Sequence, residues 1–96
     1  MANDIEIKDG TITTERGTVY FTRSEEALVK AILAGGGRLI SLEHLIGVLY
    51  EQRDEPEWPE ETVLMLLSNA RKKLARVGLK VVNVARRGYR IDRHDA

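Results

Sequence analysis

The chain has no cysteine, only two prolines, and only one tryptophan and one phenylalanine among its 96 residues. Without cysteine it can form neither disulfide bonds nor thiolate metal sites. No apolar run approaches the ~18 residues that a membrane-spanning helix needs, so we expect no membrane segment. Residues 1–8 lack the basic and then apolar pattern of a secretory signal, and the two histidines, His44 and His94, lack metal-ligand spacing. The sequence therefore predicts a cytoplasmic protein without metal or cofactor.

The chain also has no net charge, because fifteen Lys and Arg balance fifteen Asp and Glu. These charges are unevenly distributed. Residues 1–62 hold six basic and thirteen acidic side chains, whereas residues 63–96 hold nine basic and two acidic ones. Such an asymmetry within a small domain indicates that the last third of the chain faces a polyanion. The alternative is that surface charges have clustered by chance.

The length and the 43% hydrophobic content predict one globular domain, residues 1–96. Its first part, residues 1–22, is predicted as an antiparallel sheet of three short strands. Apolar and polar residues alternate over 5–8, Asp9-Gly10 is a hairpin signal, and β-branched residues follow. The second and third strands are predicted at 11–14 and 18–21. A sheet this small is marginal alone, so we expect it to pack on helices.

Three helices are predicted within residues 23–78. Thr22 and Glu25 have the spacing of a capping box at the start of the first helix, and the glycines at 35–37 end it. Ser41 is the predicted N-cap of the second helix, which extends to about residue 51. Pro59 suits the first turn of the third helix, and Gly78 ends it. The carboxylate pairs at 25–26 and 60–61 lie at helix starts, where capping and the helix dipole explain them, so we expect no enzyme.

Residues 79–92 are predicted as a β-hairpin with strands at 79–84 and 89–92, joined by the basic turn Arg86-Arg87-Gly88. The overall prediction is an α+β domain with the order β-β-β-α-α-α-β-β. Basic side chains crowd the turn and the returning strand: Arg86, Arg87, Arg90 and Arg93. A projecting basic hairpin beside a basic helix is able to span a major groove and the neighbouring minor groove. The alternative is that these charges protect an exposed strand edge from pairing.

The third helix has an apolar and a polar face at 100° per residue. Its predicted buried stripe consists of Val63, Leu67, Ala70, Leu74 and Val77. The opposite face carries Met65, Ser68, Asn69, Lys72 and Arg76. The hydroxyl and amide groups of this face can bond base edges, and its cations can meet phosphates or guanine. The alternative is an amphipathic helix with an ordinary solvated basic face.

Four short motifs resemble the DNA-binding domain of OmpR/PhoB-type response regulators, over residues 19–92. They are the Thr22-to-Glu25 helix start, Ser41-Leu-Glu-x-Leu45, Arg71-Lys72-Lys73-Leu74 and Gly88-Tyr89-Arg90-Ile91. The resemblance implies a winged helix-turn-helix fold, here without a receiver domain. It further implies a transcriptional regulator that binds double-stranded DNA in a sequence-specific manner. The third helix would lie in the major groove and the hairpin, or wing, in the minor groove.

The resemblance also implies residue roles. Arg71 and Lys72 would contact DNA backbone or base edges, and Arg86 or Arg87 would insert into the minor groove. Residues 52–60 correspond to a loop where some members touch RNA polymerase. Binding as a homodimer or in tandem on repeated half-sites is expected, because one module reads few base pairs. The candidate DNA-binding residues are Ser68, Asn69, Arg71, Lys72, Arg76, Arg86, Arg87 and Arg90.

Several residues depart from the family pattern. The family often has Asp and His where this chain has Leu64 and Leu66, and an arginine where it has Glu61. In the wing, arginine and glycine are usual where this chain has Ala85 and Arg86. Residues 64–66 are therefore expected to leave apolar surface on or beside the face of the third helix that would contact DNA. The apolar run Val63 to Leu67, with the acidic front half of the chain, supports a rival hypothesis: a protein-interaction module on the same fold, binding another regulator or polymerase, or dimerising.

Overall fold

The computed structural model describes residues 5–52 and 56–93. The described chain forms an α+β domain, as predicted. Its elements in chain order are β1 (Thr11–Thr14), β2 (Gly17–Tyr20), α1 (Arg23–Ala34), α2 (Leu42–Glu51), α3 (Pro59–Arg76), β3 (Leu79–Val84) and β4 (Gly88–Arg93). The strands form two antiparallel hairpins, β1 with β2 and β3 with β4. Within the described ranges, no helix combines the length and apolarity needed to cross a membrane.

The N-terminal sheet has two strands, β1 and β2, so the prediction of a further strand at residues 5–8, before them, is wrong. Only Lys8 pairs with Thr11, through two backbone hydrogen bonds of 2.9 and 3.0 Å. The preceding residues leave the sheet because Ile5 is buried in the core, and residues 5–7 line a surface hollow with Lys30 and Leu33 of α1. Their alternating pattern therefore reflects packing on a helix rather than pairing in a sheet.

The predicted helix boundaries are confirmed by their caps. The Thr22 hydroxyl accepts from the Glu25 N–H at 3.3 Å, and the Glu25 carboxylate accepts from the Thr22 N–H at 2.9 Å, which completes the capping box. The Ser41 hydroxyl accepts from the His44 N–H at 3.1 Å at the start of α2. Gly78, with φ of +81°, turns the chain out of α3 in a conformation that glycine adopts readily.

The core lies between the three helices and the inner faces of both hairpins. The predicted stripe of α3 is buried throughout: Val63, Leu67, Ala70, Leu74 and Val77. Leu66 is buried as well, with 8% of its surface exposed, so the prediction that it adds to the apolar surface is wrong. It borders the stripe because Val63 and Ala70 lie three and four positions away on the same side of the helix. Leu64 and Met65 remain exposed.

A partly buried ion pair joins α1 to α3, with the Glu25 side chain buried and the Lys73 side chain partly exposed. The Lys73 ammonium lies 2.6 Å from the Glu25 carboxylate and 5.6 Å from the centre of the Phe21 ring. Burial raises the pKa of Glu25, but hydrogen bonds from Lys73 and Thr22 lower it by more, so the pKa falls below its ordinary value. Lys73 therefore serves the interior of the domain, and its partner fixes which side of α3 faces α1.

Candidate nucleic-acid interface

The outer face of α3 is open to solvent. All five of its candidate residues are exposed: Ser68, Asn69, Arg71, Lys72 and Arg76. They lie on two flanks of the helix. Asn69 and Arg76 lie four before and three after Lys73, so they share the flank that faces α1. Ser68 and Arg71 lie on the other flank, which faces the C-terminal hairpin. Lys72 lies between the two flanks, at the outermost line of the helix.

The C-terminal hairpin is held beside the start of α2. Ile40 and Tyr89 exchange two backbone hydrogen bonds, of 2.8 and 2.9 Å, which form an isolated antiparallel bridge. Ser41, the N-cap of α2, follows directly. The inner face of the hairpin is apolar and buried through Leu79, Val81, Tyr89 and Ile91. Its turn therefore projects from a base that both the core and the bridge hold in place.

A shallow hollow of about 190 Å³ separates α3 from the hairpin. We call it the helix hollow. Its α3 side is formed by Leu64, Leu67, Ser68 and Arg71, and its hairpin side by Asn83 and Tyr89. The hollow combines an apolar floor with a hydroxyl, an amide and a guanidinium at its edges. These are the groups that contact base edges and phosphates in protein–DNA complexes.

A second hollow, of about 390 Å³, lies between the start of α2 and the hairpin turn. We call it the turn hollow. Ser41 and Glu43 of the α2 start line it, as do Arg86 and Arg87 of the turn. Asn83 and Tyr89 line this hollow and the helix hollow alike. The two are therefore adjacent, and together they make one concave surface from the flank of α3 to the hairpin turn.

The concave surface carries more positive than negative charge. Arg71, Arg86 and Arg87 contribute cations, and Glu43 contributes one carboxylate. The first turn of α2 adds the positive end of a helix dipole at the same place. A concave surface with clustered cations concentrates the field in front of it and attracts polyanions.

The hairpin turn has an uncommon backbone. Arg86 has φ of +65°, in the left-handed region, and the Arg87 N–H donates to the Val84 carbonyl at 2.9 Å. This region favours glycine, which accounts physically for a family pattern with glycine at this position. The chain has an arginine there instead, and both turn arginines are exposed.

Arg90 lies apart from the other candidates. It pairs with Val82 across the hairpin, on the face opposite Asn83 and Tyr89. Its Nε donates to both carboxylate oxygens of Asp92, at 3.0 and 3.1 Å, so its guanidinium forms an ion pair within β4. The structure thus brings Ser68, Arg71, Arg86 and Arg87 onto one surface and leaves Arg90 on the other side of the hairpin.

Sequence reasoning gave no role at the concave surface to Asn83 or to Glu43. Asn83 interrupts the inward series Leu79, Val81 along β3, and a polar residue within an apolar series was the signal that it leaves the core. Glu43 had no such signal, because an acidic residue in the first turn of a helix is explained by the helix dipole.

Two carboxylates elsewhere in the described ranges, Glu25 and Glu26, have structural roles. No group of three or more His, Cys, Asp or Glu side chains there could hold a metal ion. Glu25 is engaged by Lys73 and Thr22, and the Glu26 carboxylate accepts from the Gly10 N–H at 3.1 Å. Of the predicted polymerase loop, residues 53–55 lie outside the described residues, and Trp58 is 65% exposed.

Comparison with known proteins agrees with this architecture. No protein-family model matches the sequence, and no curated protein is significantly similar to it. Among solved structures, the C-terminal domain of the nisin resistance regulator NsrR, a lantibiotic response regulator, is similar with a TM-score of 0.77 and 19% identity. The match covers 90% of this chain and 89% of that one. The resemblance drawn from the sequence motifs is therefore confirmed for the fold: this chain has the winged helix-turn-helix architecture of a response-regulator C-terminal domain.

Proposed function

We propose that the chain is a sequence-specific regulator of transcription that binds double-stranded DNA. In this proposal α3 enters the major groove and the β3–β4 turn reaches the adjacent minor groove. The observation that carries it is the concave surface, where Arg71 of α3 and the turn residues Arg86 and Arg87 lie on one face. A duplex presents phosphates on both sides of each groove, so a helix and a projecting turn that share one cationic face can contact both grooves together.

The exposed face of α3 supports the same proposal. Ser68, Lys72 and Arg76 follow one another at intervals of four residues. They therefore cross the exposed face obliquely, from the flank that faces the hairpin to the flank that faces α1, and present a hydroxyl and two cations along about two turns. A helix fits the width of the major groove, and side chains on its exposed edge reach base edges and the flanking phosphates. Asn69 would contact the phosphates on the α1 side.

A fluorescence-anisotropy titration with random-sequence duplexes, at several salt concentrations, tests DNA binding. We expect affinity to fall steeply with salt, with a slope that reports the number of phosphates contacted. Repeated selection from the same random pool then yields the preferred sequence. Binding that is undetectable at low salt, or insensitive to salt, would contradict the proposal.

Two double variants locate the interface in the same titration. Replacing Lys72 and Arg76 by alanine removes two exposed cations from α3 and should reduce the slope magnitude by about 0.9 for each lost phosphate contact. Replacing Lys8 and Lys30 by alanine removes two exposed cations near the N-terminal hairpin and should leave the slope unchanged. Equal effects would show that only the total charge matters.

The rival function, a protein-interaction module on the same fold, rests on exposed apolar side chains. Trp58 and Met65 are 65% and 55% exposed near the start of α3. Such groups suit a partner such as another regulator, RNA polymerase at residues 52–60, or a second copy of the chain. Size-exclusion chromatography with and without the selected duplex separates these functions, because a DNA-binding module shifts with the duplex, alone or as a dimer on repeated half-sites.

A further inference from the structure

Leu64 is an apolar side chain that lies among polar groups on the concave surface proposed to contact DNA. It is 44% exposed, although the core beneath it is filled by Val63 and Leu67. It lines the helix hollow together with Ser68 and Arg71. A leucine that remains half open to water inside a cationic surface gains free energy when another apolar group covers it.

We propose that Leu64 determines sequence specificity by packing against the C5-methyl group of a thymine in the major groove. The inference rests on the proposed function and specifies one base that this surface recognises. Thymine is the DNA base that presents a methyl group at the major-groove edge, and apolar side chains contact that methyl. Leu64 lies within reach of bases contacted by Ser68 and Arg71, because it lies one turn before Ser68 on the same flank of α3.

The neighbouring Met65 provides a contrast on the same helix turn. It is 55% exposed, more than Leu64, but it points about 100° away around the helix and does not line the helix hollow. An unspecific preference for apolar contact would involve both residues. A thymine contact made within the helix hollow involves Leu64 and leaves Met65 outside.

The test uses duplexes selected from the random pool by the protein itself. Each thymidine is replaced in turn by deoxyuridine, which removes only the methyl group and keeps the base pair. For the wild-type protein, we expect one or two positions at which affinity falls about fourfold, the effect of one buried methyl group. For Leu64→Ala, affinity for the thymine duplex should fall by a similar factor and the uracil effect at those positions should disappear.

Met65→Ala is the matched control and should keep the uracil effect. The inference is overturned if no thymine position responds in the wild-type protein, or if Leu64→Ala retains the full uracil effect. Leu64→Ala that binds DNA normally but loses a protein partner would assign Leu64 to protein contact and would also overturn it. Failure of the proposed function is distinguishable, because the pool then yields no enriched duplex and no salt-dependent binding.

Discussion

Gly88 lies against the backbone of Ile40 with no room for a side chain. A Cβ atom at Gly88 would clash with the carbonyl group of Ile40, and Gly88 has φ of +141°. Tyr89 and Ile40 are joined by the backbone bridge immediately beside this contact. Since Ser41 follows Ile40 and begins α2, the close approach fixes the C-terminal hairpin relative to that helix. The concave surface therefore depends on a glycine at position 88.

Gly88→Ala should destabilise the domain by about 3 kcal/mol, because backbone strain is added to a clash with backbone atoms. Gly17→Ala is the matched control: Gly17 has a similar φ of +136°, but a Cβ atom there meets nothing within 4 Å. We expect it to cost about 1 kcal/mol from conformation alone. Urea denaturation of the two variants measures the difference, and equal losses would contradict the proposed role of the contact.

Lys73→Met should destabilise the domain by about 2 kcal/mol, because it leaves the Glu25 carboxylate buried without its cation. Lys72→Met changes the neighbouring exposed lysine and should leave stability within about 0.5 kcal/mol of the wild-type value. In DNA binding the order should reverse, with Lys72→Met weakening binding more. Thermal denaturation and anisotropy on the same two proteins decide this, and a stable Lys73→Met protein would show that the pair contributes little.

The free energy of unfolding should depend on pH through Glu25. Its pKa in the folded protein is lowered from 4.5, so its ionised form stabilises the fold above that pH. This contribution is lost as the pH falls through the lowered pKa, where the folded protein also takes up the proton. The difference in unfolding free energy between wild type and Glu25→Gln should therefore be largest near neutrality and shrink below pH 4.5. A difference that grows on acidification would contradict the sign of this shift.

Arg86→Gly should raise stability and lower DNA affinity at once. Glycine relieves the left-handed conformation, a gain of about 1 kcal/mol, while the loss of the guanidinium removes a phosphate or minor-groove contact. Arg86→Ala loses the same charge but keeps the strained backbone, so its affinity should match that of Arg86→Gly without the gain in stability. If both variants bind like the wild type, the Arg86 guanidinium has no role in DNA binding.

The parts of the fold that local rules govern could be predicted from the sequence. The capping box at Thr22, the N-cap at Ser41 and the glycine stop after α3 involve residues a few positions apart, and all three are confirmed. The buried stripe of α3 follows from helical periodicity alone. The burial of Leu66 could not be predicted in this way, because the width of the buried face depends on how closely α1 and α2 approach α3.

Features that depend on distant residues could not be predicted. The alternation over residues 5–8 fits both a strand and an extended segment on a helix, and the packing of Ile5 decided between them. Glu25 and Lys73 are 48 residues apart, and no local pattern relates them. Likewise, Arg90 was predicted to bind DNA together with Arg86 and Arg87. The strand register places it on the face of the hairpin opposite Asn83 and Tyr89.

The most direct measurement of the central claim is a backbone amide NMR titration of the domain with a duplex selected from the random pool. The claim predicts that the largest chemical-shift changes fall on residues 64–76 of α3, on Asn83 and on the turn at Arg86 and Arg87. The amides of β1 and β2 should barely move. Changes confined to the N-terminal hairpin or to residues 56–60, or spread evenly over the domain, would contradict it.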